Sequence, residues 1–146
     1  MALPNSGGGY QLGDGNVSEP IIGDQGDITS GLTSAVTLTA AQIATGIIST
    51  TPGSALNYTL PTCALMDALF TNAKPNSSFD FSVINLSSAN IGSLATNTGW
   101  TLVGTMGVAV SSSSLFRARK TGDATWTLYR IGSTKCIWSS CAGIWQ

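Results

Sequence analysis

Apolar and polar residues alternate most cleanly late in the chain. Leu115-Phe116-Arg117-Ala118-Arg119 leads through Lys120-Thr121-Gly122-Asp123 into Ala124-Thr125-Trp126-Thr127-Leu128-Tyr129-Arg130. Two period-two runs joined by a short glycine-containing turn predict a β-hairpin. The alternation puts Phe116, Ala118, Trp126 and Leu128 on its buried face and turns Arg117 and Arg119 outward with Thr125, Thr127 and Tyr129. Phe79–Val83 alternates in the same way and predicts a half-buried strand. Upstream of it, Leu56–Leu60 reads as a strand that Pro61 stops, with Thr62 as a helix cap. Cys63, Met66, Leu69 and Phe70 then recur at three- and four-residue spacing, which predicts a helix over about residues 62–72 with one apolar face. Asn72-Ala73-Lys74-Pro75 ends that helix, because proline biases the residue before it away from helical angles. This strand–helix–strand stretch, 55–85, is the unit around which the remaining strands are expected to pack.

Those strands are shorter. Ala35–Leu38 is one. Thr39-Ala40-Ala41-Gln42 has capping-box spacing and predicts a single helical turn to Ala44. Ile47–Thr50 is the next strand, followed by a Thr51-Pro52-Gly53-Ser54 turn. Ser87–Asn90 reads as a loop, Ile91–Ala95 as a weak strand and Asn97-Thr98-Gly99 as a turn. Trp100–Met106 alternates, with Trp100, Leu102 and Gly104 on one face. Val108–Val110 is a short apolar run, and Ser111–Ser114 reads as a polar loop. About seven to nine short strands with one sizeable helix, and turns every eight to twelve residues, predict an all-β fold. The favoured form is a jelly-roll-type β-sandwich, ahead of an up-and-down or Greek-key sandwich.

The two ends break the pattern. Residues 1–34 show no periodicity and predict an extended N-terminal arm, with Tyr10, Leu12, Val17, Ile21 and Ile22 as scattered anchors; the competing reading is a loose tail. Residues 35–134 form the sandwich domain. Residues 135–146 are a tryptophan-rich tail with Ile137, Trp138, Ile144 and Trp145, which folds back on the domain or packs on a neighbour.

Composition sharpens this picture. The chain has 146 residues, 42% hydrophobic but only 9% charged, well under the usual quarter or so. Ser, Thr, Asn and Gly replace charge at the surface, which suits a domain packed against copies of itself or other proteins and equally suits a neutral β-rich domain. The charge is bipolar. Residues 1–73 hold Asp14, Glu19, Asp24, Asp27 and Asp67 and no Lys or Arg, whereas residues 74–146 hold every base and only Asp80 and Asp123 as acids. Opposed halves attract within a chain or between copies. The net charge of −1 argues against nucleic acid. The opening Met-Ala-Leu-Pro-Asn-Ser-Gly-Gly-Gly does not read as a signal peptide. No stretch approaches the roughly 20 apolar residues that span a bilayer, so no membrane partner is expected. Four sequons, at Asn16, Asn57, Asn76 and Asn85, carry no weight without a secretory signal.

Chemistry is sparse. The chain has no histidine, which removes Ser-His-Asp and Cys-His arrangements and most zinc sites. Its acids are scattered, unlike a paired-carboxylate hydrolase. Cys63 reads as a small core residue, and Cys136 and Cys141 match no metal half-site. Gly7-Gly8-Gly9 and Gly13-Asp14-Gly15 lack the flanking strand and Lys-Ser or Lys-Thr of a phosphate loop. Asp14 with Asn16, or Asp24 with Asp27, fits no EF-hand loop. Arg117, Arg119 and Lys120 read as three bases on one exposed strand face, solubilising or paired with a partner's acids. No enzyme activity, cofactor or metal is expected.

One resemblance gives these pieces a direction. Asn5-Ser6-Gly7-Gly8-Gly9-Tyr10-Gln11-Leu12-Gly13-Asp14-Gly15-Asn16, with Glu19-Pro20, resembles the N-terminal arm of structural proteins of tailed bacteriophages, especially cyanophages. Leu38–Ile43, Gly46-Ile47-Ile48, Thr51-Pro52-Gly53, Leu60-Pro61-Thr62, Phe79-Asp80-Phe81 with Ile84-Asn85, and Phe116-Arg117 leading to Leu128-Tyr129-Arg130 extend the likeness over most of the chain. The family resembled is that of capsid decoration or cement proteins, and it implies a homotrimer on the capsid surface of a virion, clamping neighbouring major capsid protein subunits. Tyr10, Leu12, Asp14, Ile21 and Ile22 in the arm, Arg117 and Arg119 on the hairpin, and Trp138 and Trp145 in the tail are then the candidate interface residues. The alternative is a tail- or fibre-associated receptor-binding knob of the same fold, which calls for exposed aromatics in a groove.

Overall fold

The computed structural model describes residues 25–134; the arm candidates Tyr10, Leu12, Asp14, Ile21 and Ile22 and the tail candidates Trp138 and Trp145 lie outside the described residues. Within the described residues, ten strands and two helices follow in the order β1 (Thr29–Leu32), β2 (Val36–Thr37), α1 (Ala40–Ala44), β3 (Ile47–Thr50), β4 (Leu56–Thr59), α2 (Cys63–Leu69), β5 (Ser78–Asn85), β6 (Gly92–Ala95), β7 (Trp100–Val103), β8 (Gly107–Val108), β9 (Ser112–Gly122) and β10 (Thr125–Thr134). They form a six-stranded sheet, β1-β3-β5-β9-β10-β7, and a four-stranded sheet, β2-β4-β6-β8. The molecule is all-β with two sheets, as the alternation predicts.

The connectivity is where sequence and structure part. From β1 to β9 the chain changes sheet at every step. Strands β1, β3 and β5 pair in parallel in the large sheet, and β2, β4 and β6 pair in parallel in the small one. Successive strand–corner–strand units are therefore stacked rungs of one coil. The ladder runs on through the corners, where Thr51 N donates to Leu32 O (2.9 Å) and Leu86 N to Thr50 O (2.8 Å) on one side. On the other, Leu38 N donates to Thr59 O (2.8 Å) and Leu60 N to Ala95 O (3.0 Å). The β9–β10 hairpin is inserted between β5 and β7, antiparallel to β5 through β9 and parallel to β7 through β10. A jelly roll is built from antiparallel Greek keys, but five of the eight strand pairings among the described residues are parallel. Period-two alternation says which face of a strand is buried and nothing about the direction of its neighbour, so the jelly-roll expectation gives way to a wrapped, mixed two-sheet fold.

The core lies between the sheets and is sealed by the two short helices. Ile48, Phe81, Val83, Phe116, Ala118, Trp126 and Leu128 from the large sheet meet Tyr58, Leu94 and Val108 from the small one, with Ile43, Cys63 and Met66 from the helices. The expected buried face of the hairpin is correct residue for residue: Phe116, Ala118, Trp126 and Leu128 are all buried. Polar groups that enter this core are used. Asn85, buried at the end of β5, donates through Nδ2 to Asn90 O (2.9 Å) and Val108 O (3.0 Å) and accepts from Ser87 N (2.9 Å), which joins the two sheets. Trp100 Nε1 donates to Pro61 O at 2.7 Å.

Local signals in the sequence place the elements well and their limits less well. The capping box at Thr39 forms in both directions, Gln42 N to Thr39 Oγ1 (3.1 Å) and Thr39 N to Gln42 Oε1 (2.8 Å). Thr62 occupies the N-cap of α2 without a side-chain cap bond. That helix ends at Leu69, because Phe70 leaves helical geometry at φ −97° and ψ 62°. Leu69, the last helical residue, is exposed with Leu65, away from the face that buries Cys63 and Met66. Residues 29–32 are not arm but an edge strand against β3, and Tyr58 Oη donates to Leu32 O at 2.9 Å. Ser112–Ser114 is not a loop but the start of β9, because the long β5 pairs with it as far as Asn85. The partner strand overrides serine's weak strand preference.

Candidate functional site

Two surfaces stand out, and the C-terminal hairpin contributes to both. The first is the outer face of the six-stranded sheet. Strict alternation along β9 sends Phe116, Ala118 and Lys120 inward and Leu115, Arg117 and Arg119 outward. Arg117 lies directly across from Asp80 of β5 and binds it with two hydrogen bonds, Nε to Oδ1 at 2.6 Å and the terminal nitrogen to Oδ2 at 2.8 Å. Those bonds hold the Asp80 carboxyl below its ordinary value despite some burial. Arg119 donates to Asn76 Oδ1. Both candidate arginines are therefore engaged within their own chain. Beside them runs an aliphatic stripe: Leu115, Val103 and Ile131 are 37%, 45% and 52% exposed, too much for core residues. Val103 pairs with Tyr129, and Tyr129 with Arg117, so the stripe and the ion pair share one surface. Thr127, expected outward, is on this face but buried, flanked in register by Arg119 and Thr101.

Lys120 is not the third base of an exposed face. It points inward with Ala118, and its Nζ lies 2.8 Å from Asp67 Oδ2 of α2. Asp67 also accepts from Ala124 N and Trp126 Nε1, each at 2.8 Å. The sequence carries a signal of this: Lys120 is two residues beyond the buried Ala118, and Asp67 is four beyond the buried Cys63. Burial pushes the Asp67 carboxyl up, but hydrogen bonds from Lys120, Ala124 and Trp126 and the Lys120 charge outweigh it and hold it below the ordinary 3.8. Both depressed carboxyls make acid the weak side of this fold. A group with a lowered folded pKa contributes stability above its unfolded pKa and loses it as pH falls through the folded value. The thermal midpoint is expected to stay level from pH 8 to 5 and to fall below about pH 4. Calorimetry across that range checks this, and a midpoint that holds or rises below pH 4 contradicts it.

The second surface is a groove of about 360 Å³ where α2 runs into β5. Leu69, Phe70, Thr71, Asn72 and Ala73 form one wall, Ser77, Ser78 and Phe79 the other, and Trp126 the floor. Phe70 and Phe79 have ring centroids 5.0 Å apart, and Phe79 meets Trp126 edge-on at 6.0 Å. Local periodicity puts Phe70 and Phe79 on buried faces and misses that they end in a cleft. The clue is two aromatics bracketing a polar, proline-containing segment.

Other candidates carry less. Cys63 is fully buried, and burial pushes its thiol up to about 11, the opposite of a reactive thiolate. Among the described residues, no three His, Cys, Asp or Glu side chains come together as a metal site, and no helix is long and apolar enough to cross a membrane. Against known proteins, no family model, curated sequence or solved structure matches the chain.

Proposed function

We propose that this chain is a non-enzymatic virion component that decorates a phage capsid and stabilises it by clamping neighbouring major capsid protein subunits, as a homotrimer. One observation carries the reading: the aliphatic stripe of Val103, Leu115 and Ile131 on the outer face of the large sheet, rimmed by the Asp80–Arg117 pair. Exposed aliphatic side chains that adjoin on a sheet face mark an association surface. A rim whose acid and base already neutralise each other within the chain sets no charge against a second copy of the same face, so a self-associating occupant fits it. The low overall charge and the resemblance of the sequence from Asn5 to Pro20 to phage structural proteins support the same reading.

Mass measurement in solution tests the surface. The full chain is expected to run as a trimer, and Leu115→Ser with Ile131→Ser to run as a folded monomer with the parent's circular-dichroism spectrum and a midpoint lowered by what the trimer contacts contributed. A parent that is monomeric, or a double variant that stays trimeric, removes the face from the proposal. The groove between Phe70 and Phe79 favours a second reading, the tail- or fibre-associated receptor-binding knob. Density for the chain on the head surface of the particle supports decoration, whereas density on the tail supports the knob.

A further inference from the structure

The groove beside α2 has features that select a ligand class. Its base is aromatic: Phe70 and Phe79 are half-buried, Trp126 is fully buried, and the three rings lie 5.0 to 6.2 Å apart. Its mouth is polar and uncharged. Thr71, Asn72 and Ser78 are exposed, and no hydrogen bond among the described residues uses their side chains. Ser77 Oγ accepts from Lys74 N at 3.0 Å, which leaves its hydroxyl proton free to donate. None of the nine lining residues is charged.

The walls are held before any ligand arrives. Phe70 N donates to Met66 O (2.8 Å) and Ala73 N to Phe70 O (2.9 Å), which fixes the helix side. Asn76 N donates to Lys120 O and Lys120 N to Ser77 O, both at 2.9 Å, which staples the opposite loop to β9. Asn76 itself sits at φ 78°, a left-handed conformation that asparagine tolerates better than most residues, and Arg119 binds its side chain there. A preformed cleft loses less entropy on binding than one that must close.

We infer that this groove binds an uncharged saccharide. The C–H face of a sugar ring carries partial positive charge and matches the negative face of an aromatic ring. Its hydroxyls match neutral amide and hydroxyl groups at a rim. An anionic or cationic ligand finds no counter-charge in the lining, and a purely apolar one strips water from Thr71, Asn72 and Ser78 with nothing in return. The volume is near the lower end of small-molecule sites, roughly 300–1,000 Å³, which suits a terminal sugar unit rather than a long chain. The inference deepens the receptor-binding reading and rests on it only for where the ligand is met. Binding in solution tests the groove, and the location in the particle tests the reading, so the two fail separately.

The experiment is a titration of the full, isotope-labelled chain with the methyl glycosides of glucose, galactose and N-acetylglucosamine, followed by amide chemical shifts. At least one is expected to give saturable shifts centred on residues 70–73 and 77–79, with weak affinity, about millimolar. Asn72→Ala with Ser78→Ala, both exposed and outside the core, is expected to weaken it about tenfold or more while leaving the remaining spectrum unchanged. Phe70→Ala is the second arm, scored only on protein whose spectrum remains folded, and is expected to abolish the shifts. No saturable shift with any of the three glycosides overturns the inference. So do shifts that map elsewhere, shifts that survive Asn72→Ala with Ser78→Ala undiminished, or shifts that survive Phe70→Ala in folded protein.

Discussion

Replacing Asp67 with alanine is expected to destabilise the fold by about 3 kcal/mol, enough to lower the thermal midpoint by on the order of 10 °C. The carboxylate accepts from Lys120 Nζ, Ala124 N and Trp126 Nε1, all at 2.8 Å, and so fastens α2 to both strands of the C-terminal hairpin. Its loss leaves the Lys120 side chain, only 8% exposed, without its counter-ion. Removing one partner of a buried pair costs roughly 3–5 kcal/mol because the other charge stays desolvated. The Asp67 side chain is 22% exposed, so some water can replace it, and the lower end of that range applies. The cost comes from the stranded partner more than from the pair itself. Asp67→Leu combined with Lys120→Met is therefore expected to recover part of the loss, the remainder being the Trp126 Nε1 and Ala124 N donors that still lack their acceptor. Urea denaturation at pH 7 measures both. A single variant within about 1 kcal/mol of the parent, or a double variant less stable than the single, contradicts the account.

Gly99→Ala is expected to cost a similar amount for a different reason. Gly99 has φ +90°, a conformation that L side chains rarely adopt, and a β-carbon there would lie 2.3 Å from Ala124 O and 2.7 Å from Cys63 Cβ. The first is main chain and the second is the start of α2, so neither can swing aside. The turn is also tied on both sides, by Cys63 N to Thr98 O at 3.0 Å and Trp126 N to Gly99 O at 3.1 Å. Left-handed strain of about 1–2 kcal/mol and overpacking of about 1–3 kcal/mol together give about 2–5 kcal/mol. Gly31 separates the two contributions. It has φ +74° but nothing within 4 Å of where a β-carbon would sit, so Gly31→Ala carries the conformational strain alone. If the two variants unfold at the same urea concentration, the close approach at Gly99 is not what makes glycine necessary there.

The candidate surfaces are only partly legible in the sequence. The outward placement of Arg117 and Arg119 follows from alternation, and the structure bears it out, but their partners Asp80 and Asn76 are 37 and 43 residues away. Such distances cannot be read from a pattern with a period of two. Lys120 goes to the wrong face on sequence alone because a basic residue reads as exposed by default. Its position, two residues beyond Ala118, already points inward, and the acid that makes inward burial tolerable sits in another element. The groove is hidden for the same reason. Phe70 and Phe79 each sit where a local pattern predicts burial, and only the packing of the end of α2 against the start of β5 decides that they line a cleft.

By itself the sequence determined most of the strands and their buried faces, and their limits less well. Ile47–Thr50 and the inward set Phe116, Ala118, Trp126 and Leu128 are right residue for residue. Those properties follow from side-chain period and turn chemistry, which act over a few residues. Tertiary structure decided the direction of each strand's neighbours, the insertion of the hairpin between β5 and β7, the burial of Lys120 on Asp67 and the opening of the aromatic groove. Each of these is a choice among partners distant in the chain. Parallel and antiparallel neighbours bury the same alternate side chains, so the choice between them leaves no mark on the period of the pattern.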